Sequence, residues 1–186
     1  MDVDLQAFYE KHGFARLHEW TLPPREARYE QVSSLAADVA PETRRYLEAS
    51  YLRGLYRHQV KAIRAACQGE NVCLATGTAS GKSALFFAAG IDTMAKRYKA
   101  RVLAMYPTRA LGREQADRWR QAIAASGADW KVCLIDGGVP MTERESLLRE
   151  SDVMVMTPDV VHTWLLPTLS SAAVRTFLTH LRLVVI

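Results

Sequence analysis

From Arg57 onward the apolar positions fall into blocks that switch between two periods. Val60, Ile63 and Cys67 share one stripe, and this spacing predicts a helix over 57–68 closed by Gly69. Asn71–Thr76 is a short apolar run that reads as a buried strand, followed by a helix from Gly81 to about Lys96. A second strand is expected over Arg101–Tyr106, then a helix over Ala110–Ala125 with Gly127 just past its end. Lys131–Ile135 reads as the third strand. Thr142-Glu143-Arg144-Glu145 fits a capping box and opens a short helix. Asp152–Met156 is the fourth expected strand, and Thr157-Pro158 supplies an N-cap and a first-turn proline for the next helix. Leu181–Ile186 is the fifth. Nearly continuous apolar strands alternating with helices indicate an α/β fold, a parallel sheet covered by helices on both faces.

The first 50 residues follow another pattern and read as a small helical leader ahead of a domain over 51–186. A helical stretch near Asp4–Lys11 ends at Gly13, and Thr21-Leu22-Pro23-Pro24 breaks any helix there. A second helical stretch starts around Pro41, carries Tyr46, Leu47, Tyr51 and Leu55 near helical spacing, and meets Gly54 as a stop signal.

Composition narrows the class. With 186 residues, 49% hydrophobic and 24% charged, the chain is neither collagen-like nor a charge-dominated disordered segment. The longest apolar stretch, Ala84–Ile91, is far short of the roughly 20 residues that span a bilayer. The acidic start, Met1-Asp2-Val3-Asp4, leads into no apolar signal region, so a soluble cytoplasmic protein is expected. The net charge of +4 conceals a division. Residues 1–50 hold 6 Lys+Arg against 9 Asp+Glu, and residues 51–186 hold 18 against 11. A basic body suits a polyanionic partner. Cys67, Cys73 and Cys133 have no metal-ligand spacing and are expected to be small buried hydrophobes.

The most specific chemistry lies in Ala75-Thr76-Gly77-Thr78-Ala79-Ser80-Gly81-Lys82-Ser83, between the first expected strand and its helix. Small residues let successive backbone N–H groups turn towards an anion, and the helix N-terminus adds its dipole. Lys82 would supply a point charge to the β- and γ-phosphates of ATP, and the Ser83 hydroxyl would hold Mg²⁺. The strict phosphate-loop pattern wants glycine at position 76, where this chain has Thr76, with Gly77 one step late.

These residues resemble the first RecA-like domain of a DEAD/DEAH-box type superfamily 2 helicase. The loop Thr-Gly-Thr-Ala-Ser-Gly-Lys-Ser is similar to that of one bacterial branch of DNA-repair helicases. Four further stations follow the family's order. Leu55-Tyr56-Arg57-His58-Gln59 resembles the Q motif, which implies that Gln59 reads adenine. Tyr106-Pro107-Thr108-Arg109-Ala110-Leu111 resembles motif Ia, implying that Thr108 and Arg109 contact the phosphates of a nucleic-acid strand. The pair Gly137-Gly138 is similar to the family's Gly-Gly element, and Thr157-Pro158-Asp159 to motif Ib, with Thr157 facing phosphate. Thr108 and Thr157 are equally well read as plain helix caps. Trp119, Trp130 and Trp164 read as core, and Arg118 and Arg120 as a solvated helix face.

The resemblance also marks what this chain does not contain. An Asp-Glu pair would follow the strand Leu183-Val184-Val185-Ile186, where the family orders Mg²⁺ and activates water. The expectation is a RecA-like domain truncated after its fifth strand, binding ATP without hydrolysing it alone, with a second RecA-like domain as partner. The implied substrate is nucleic acid, DNA rather than RNA by the branch resemblance. A P-loop NTPase outside the helicases and a non-catalytic interaction module are the alternatives.

Overall fold

A computed structural model of the chain describes residues 11–13, 28–77 and 81–186. The helix expected over Asp4–Lys11 lies outside these residues apart from helical Lys11, and Gly13 follows at φ +70°. Thr78, Ala79 and Ser80 lie outside them as well.

Strand β1 (Tyr29–Glu30) pairs antiparallel with β2 (Leu55–Tyr56), forming a two-stranded ribbon. Between them run a 3₁₀ turn (Val32–Leu35) and helix α1 (Pro41–Ser50). Helix α2 (Arg57–Cys67) follows β2 directly, and α3 (Ser83–Lys96) begins beyond the phosphate loop. The remainder alternates: β3 (Arg101–Met105), α4 (Arg109–Ser126), β4 (Val132–Ile135), α5 (Met141–Glu150), β5 (Val153–Met156), α6 (Pro158–Val160), α7 (Ala172–His180) and β6 (Leu181–Val185). A π-helical turn, Val161–Leu165, continues α6. The sheet is parallel throughout, in the order β4-β5-β3-β6.

Strand periodicity of two sends alternate side chains into two cores. Val102, Ala104, Val153, Val155 and Val185 face α1 to α4, joining Leu47, Ile63, Ile91 and Trp119. Leu103, Ile135, Met154 and Met156 face the other way, onto Leu148, Trp164, Val174 and Phe177. This is the expected α/β architecture, a four-stranded parallel sheet with helices on both faces.

Residues 32–47 contribute Val32, Leu35, Val39, Tyr46 and Leu47 to the first of these cores. A buried carboxylate fastens α1 there: Asp92 Oδ1 accepts from the Ala40 N–H at 2.7 Å and from the Thr43 hydroxyl at 3.4 Å. The anion sits at the N-terminus of α1, where unpaired N–H groups and the helix dipole favour it. Lys96 balances its other oxygen at 2.8 Å.

Four expectations fail in the structure. The first is the helical run from Pro41 through Leu55: α1 ends at Ser50, which leaves Tyr51 as its C-cap and Leu55 in β2. Asn71–Thr76 forms no strand, so the main sheet holds four of the five strands expected. A strand is defined by its ladder, and this run has no ladder partner among the described residues. A cavity of about 540 Å³ separates its residues Asn71–Leu74 from Arg182–Ile186 of the β6 segment. Val72 and Leu74 still pack on the core with one side, which accounts for the apolar signal. The capping box at Thr142 is also absent, because α5 starts two residues earlier than the box requires, with Pro140 at its N-cap. Thr142 thus falls inside the first turn. Finally, Cys73 is exposed, whereas Cys67 and Cys133 are half-buried.

Candidate nucleotide and nucleic-acid interface

The phosphate loop is tied to its surroundings at two points. Lys82 occupies the N-cap position of α3, and its ammonium donates to the carbonyls of Thr76 at 2.9 Å and Gly77 at 2.8 Å. The ammonium therefore already sits among oxygen acceptors at the mouth of a helix, the chemistry that a polyphosphate would take over. Gly81 is held at φ +71°, a region open to glycine at little cost. A Cβ there would also lie 2.5 Å from Gln59 Nε2, so the site excludes a side chain twice over. Ser83 starts the helix itself, its hydroxyl on the residue after the lysine.

Gln59 is the second tie. It is 2% exposed, and both ends of its amide are engaged. Its Oε1 accepts from the Tyr56 N–H at 2.8 Å, and its Nε2 donates to the Gly81 carbonyl at 2.7 Å. The first bond is a helix-capping contact from the third helical residue back to the N-cap. The second brings the Q-motif glutamine against the phosphate loop. Beside it, Tyr56 stacks between Tyr29, with ring centroids 4.8 Å apart, and His58, at 5.5 Å.

The remaining candidates gather at the C-terminal ends of the parallel strands, the side on which open α/β sheets bind ligands. Thr108 follows β3 as the N-cap of α4, and its side-chain oxygen accepts from the Leu111 N–H at 3.2 Å. Arg109 is the first residue of α4, and its guanidinium lies across Gly137: a Cβ on Gly137 would meet Cζ at 3.0 Å and Nε at 3.4 Å. The loops after β3 and β4 are thereby brought together. Thr157 follows β5 as the N-cap of α6, but its side chain makes no capping bond. It is almost buried, at 8% exposure.

Two residues of this rim carried no assignment from the sequence. Asp136 follows β4 with its carboxylate buried, Oδ1 accepting from the Gly138 N–H at 2.7 Å. Its Oδ2 accepts from Arg113 Nη2 at 2.9 Å and Nε at 3.2 Å. The Gly138 N–H, then Arg113 and the charge of Arg109, hold this carboxyl below the usual carboxylate range against the opposing effect of burial. The signals were available. Asp-Gly-Gly favours an Asx turn, and Arg113 stands four residues from Arg109 on one helix face.

The aromatic candidates are structural. Trp119 is fully buried against Gly90 and donates to Tyr106 Oη at 3.2 Å, and Trp164 is 3% exposed beneath Arg144. Trp130 packs on the core's edge. Arg118 and Arg120 form exposed ion pairs with Glu114 and Asp117. Burial pushes the Cys67 thiol up to about 12, which keeps it protonated and unreactive at neutral pH. No helix among the described residues is long and apolar enough to cross a membrane.

Comparison with known proteins finds helicases. The ATP-dependent helicase HRQ1 of Saccharomyces cerevisiae is 34% identical over 172 residues, covering 91% of this chain and 15% of that protein. The uncharacterized ATP-dependent helicase YprA of Bacillus subtilis is 26% identical over 78% of this chain and 19% of its own length. The chain thus spans less than a fifth of either relative. Among solved structures, the helicase MrfA bound to DNA and AMPPNP superposes with a TM-score of 0.80 at 23% identity, over 97% of this chain and 25% of that one. Helicase Lhr of Mycobacterium smegmatis, bound to single-stranded DNA and AMP-PNP, gives 0.68 at 24% identity, over 83% of this chain and 20% of that one. The DEAD/DEAH box helicase family model matches residues 56–186, and the chain belongs to that family.

Proposed function

We propose that this chain supplies the ATP-binding and strand-binding surfaces of an ATP-dependent helicase acting on DNA in the cytoplasm. The observation that carries this reading is the common placement of the two surfaces. The loop around Lys82 and the rim formed by Arg109, Gly137 and Thr157 all follow the sheet's strands or lead into helix N-termini. In this reading Thr76–Ser83 surround the phosphates, Lys82 exchanges its two carbonyl acceptors for phosphate oxygens, and the Ser83 hydroxyl holds Mg²⁺. Gln59 sets the loop's entry and reads adenine. Bound ATP supplies the polyphosphate charge and the anhydride bond whose cleavage drives the cycle.

Thr108, Arg109, Gly137, Gly138 and Thr157 would follow the backbone of one strand without reading its bases, so binding is salt-dependent and largely independent of sequence. DNA is favoured over RNA because MrfA and Lhr were solved with DNA. The rim's buried carboxylate, Asp136, is committed to Arg113 and Gly138. The residues described here therefore bind and orient, and hydrolysis needs groups beyond them, including a second RecA-like domain closing on the strand.

The test is the binding of a labelled oligo-dT and of a fluorescent ATP analogue to the wild type and Arg109→Ala. This reading expects Arg109→Ala to weaken the oligonucleotide about tenfold or more, one charged hydrogen bond's worth, with the analogue unaffected. Equal oligonucleotide affinity in both proteins would leave a P-loop NTPase without a strand site.

A further inference from the structure

One buried carboxylate of the rim, in the Asp136-Gly137-Gly138 stretch, binds both its own turn and an arginine of α4. Asp136 is the last residue before the Gly137-Gly138 turn, with a side chain 3% exposed. It faces three neighbours. Its Oδ1 fixes the Gly138 N–H at 2.7 Å, and its backbone carbonyl accepts from the Val139 N–H at 3.1 Å, so one residue closes the turn from both its side chain and its main chain. Its Oδ2 takes Arg113 through two nitrogens, at 2.9 and 3.2 Å. Arg113 is itself 66% exposed, so the carboxylate anchors the inner edge of a guanidinium whose outer edge faces solvent. Over the turn that Asp136 closes lies the second guanidinium, Arg109 on Gly137.

Two arginines four residues apart on α4 would otherwise be flexible and mutually repelling. Two donors converging on one buried oxygen limit that freedom for Arg113, because its Nε and Nη2 both stay on Oδ2. We propose that Asp136 is a positioning residue of the strand-binding rim, holding Arg113 by its carboxylate and the bed of Arg109 by its turn, so that both guanidiniums meet successive phosphates of one strand. This rests on the strand-binding reading given above, and it adds Arg113 as a phosphate contact and Asp136 as its organiser.

Simple charge counting makes the opposite forecast, which renders the proposal testable. Removing a negative charge beside two arginines raises the local positive potential and should tighten an anionic strand. Loss of positioning should weaken it. Oligo-dT binding is measured across a salt series for the wild type, Asp136→Asn and Arg113→Gln, with thermal melting of each. The expected result is about fivefold weaker binding for either variant at low salt. The slope of log affinity against log salt should shrink by about 0.7, the share of one single-strand phosphate. The double variant should bind no worse than Arg113→Gln alone. Unchanged or tighter binding by Asp136→Asn in a protein that melts normally overturns the proposal. Should Asp136→Asn fail to fold, an unchanged salt slope in Arg113→Gln overturns it instead. No binding by the wild type would defeat the strand-binding reading itself, an outcome distinct from both.

Discussion

Gln59 reaches across 22 residues of sequence to hold Gly81, its Nε2 donating to the glycine carbonyl at 2.7 Å while its Oε1 accepts from the Tyr56 N–H. Helix α2 and the phosphate loop are thus joined by one amide. Replacing Gln59 with Ala leaves a buried N–H and a loop carbonyl without partners, at a cost of about 1–3 kcal/mol. Melting should fall by several degrees, and affinity for an ATP analogue should fall with it. If Gln59 also reads adenine, the variant loses any preference for ATP over GTP, which competition between the two nucleotides would reveal.

Gly137→Ala addresses the rim. The backbone there is not left-handed, so the glycine acts by closeness alone: a Cβ would push aside the Arg109 guanidinium, the flexible end of an exposed side chain. Strand binding should weaken several-fold with nucleotide binding unaltered. The effect should vanish in an Arg109→Ala background, since no guanidinium remains to displace.

Gly90→Ala tests the core. In an ordinary helix interior this change stabilises by about 1 kcal/mol. Here the new Cβ would lie 2.5 Å from the edge of the Trp119 ring, itself fully buried. Overpacking of this kind costs about 1–3 kcal/mol. The melting temperature should drop, and a rise would show that Trp119 has room to move.

The pH dependence follows from Asp136, whose carboxyl is held below its ordinary range by the Gly138 N–H, Arg113 and Arg109. A lowered folded pKa means that the unfolded chain takes up the proton first. The stabilisation is fully present above the ordinary carboxylate pKa of about 4, and is lost as pH falls through the lower folded value. The melting difference between wild type and Asp136→Asn should be largest near pH 6 and shrink steadily below pH 4. A difference that grows on acidification would contradict the assignment.

Most of the sheet was legible because strands buried on both faces carry unbroken apolar runs. Val153-Met154-Val155-Met156, buried throughout, marks its own limits to within a residue. Asn71–Thr76 carries a similar run, but apolarity reports burial, not pairing, and only Val72 and Leu74 touch the core. The docking of residues 32–39 was hidden for another reason: a single 3₁₀ turn is too short to show a period. At the site, Lys82 could be named from its Gly-Lys-Ser setting, and Gln59 and Arg109 from the resemblance of their local stretches to helicase motifs. Arg113 lies in no such stretch and its partner Asp136 stands 23 residues away, so its spacing from Arg109 on one helix face was the one local signal.

Lys82 bears the central claim, since among the described residues its ammonium is the charge bound to the loop's own carbonyls, at 2.9 and 2.8 Å, where phosphate oxygens would replace them. The direct measurement is the affinity of a labelled ATP analogue for the wild type and for Lys82→Ala, each checked by melting. Losing a charge-assisted contact of about 1.5–3 kcal/mol predicts affinity weakened about tenfold to a hundredfold in a protein that remains folded. Equal affinity of the two proteins would contradict the account.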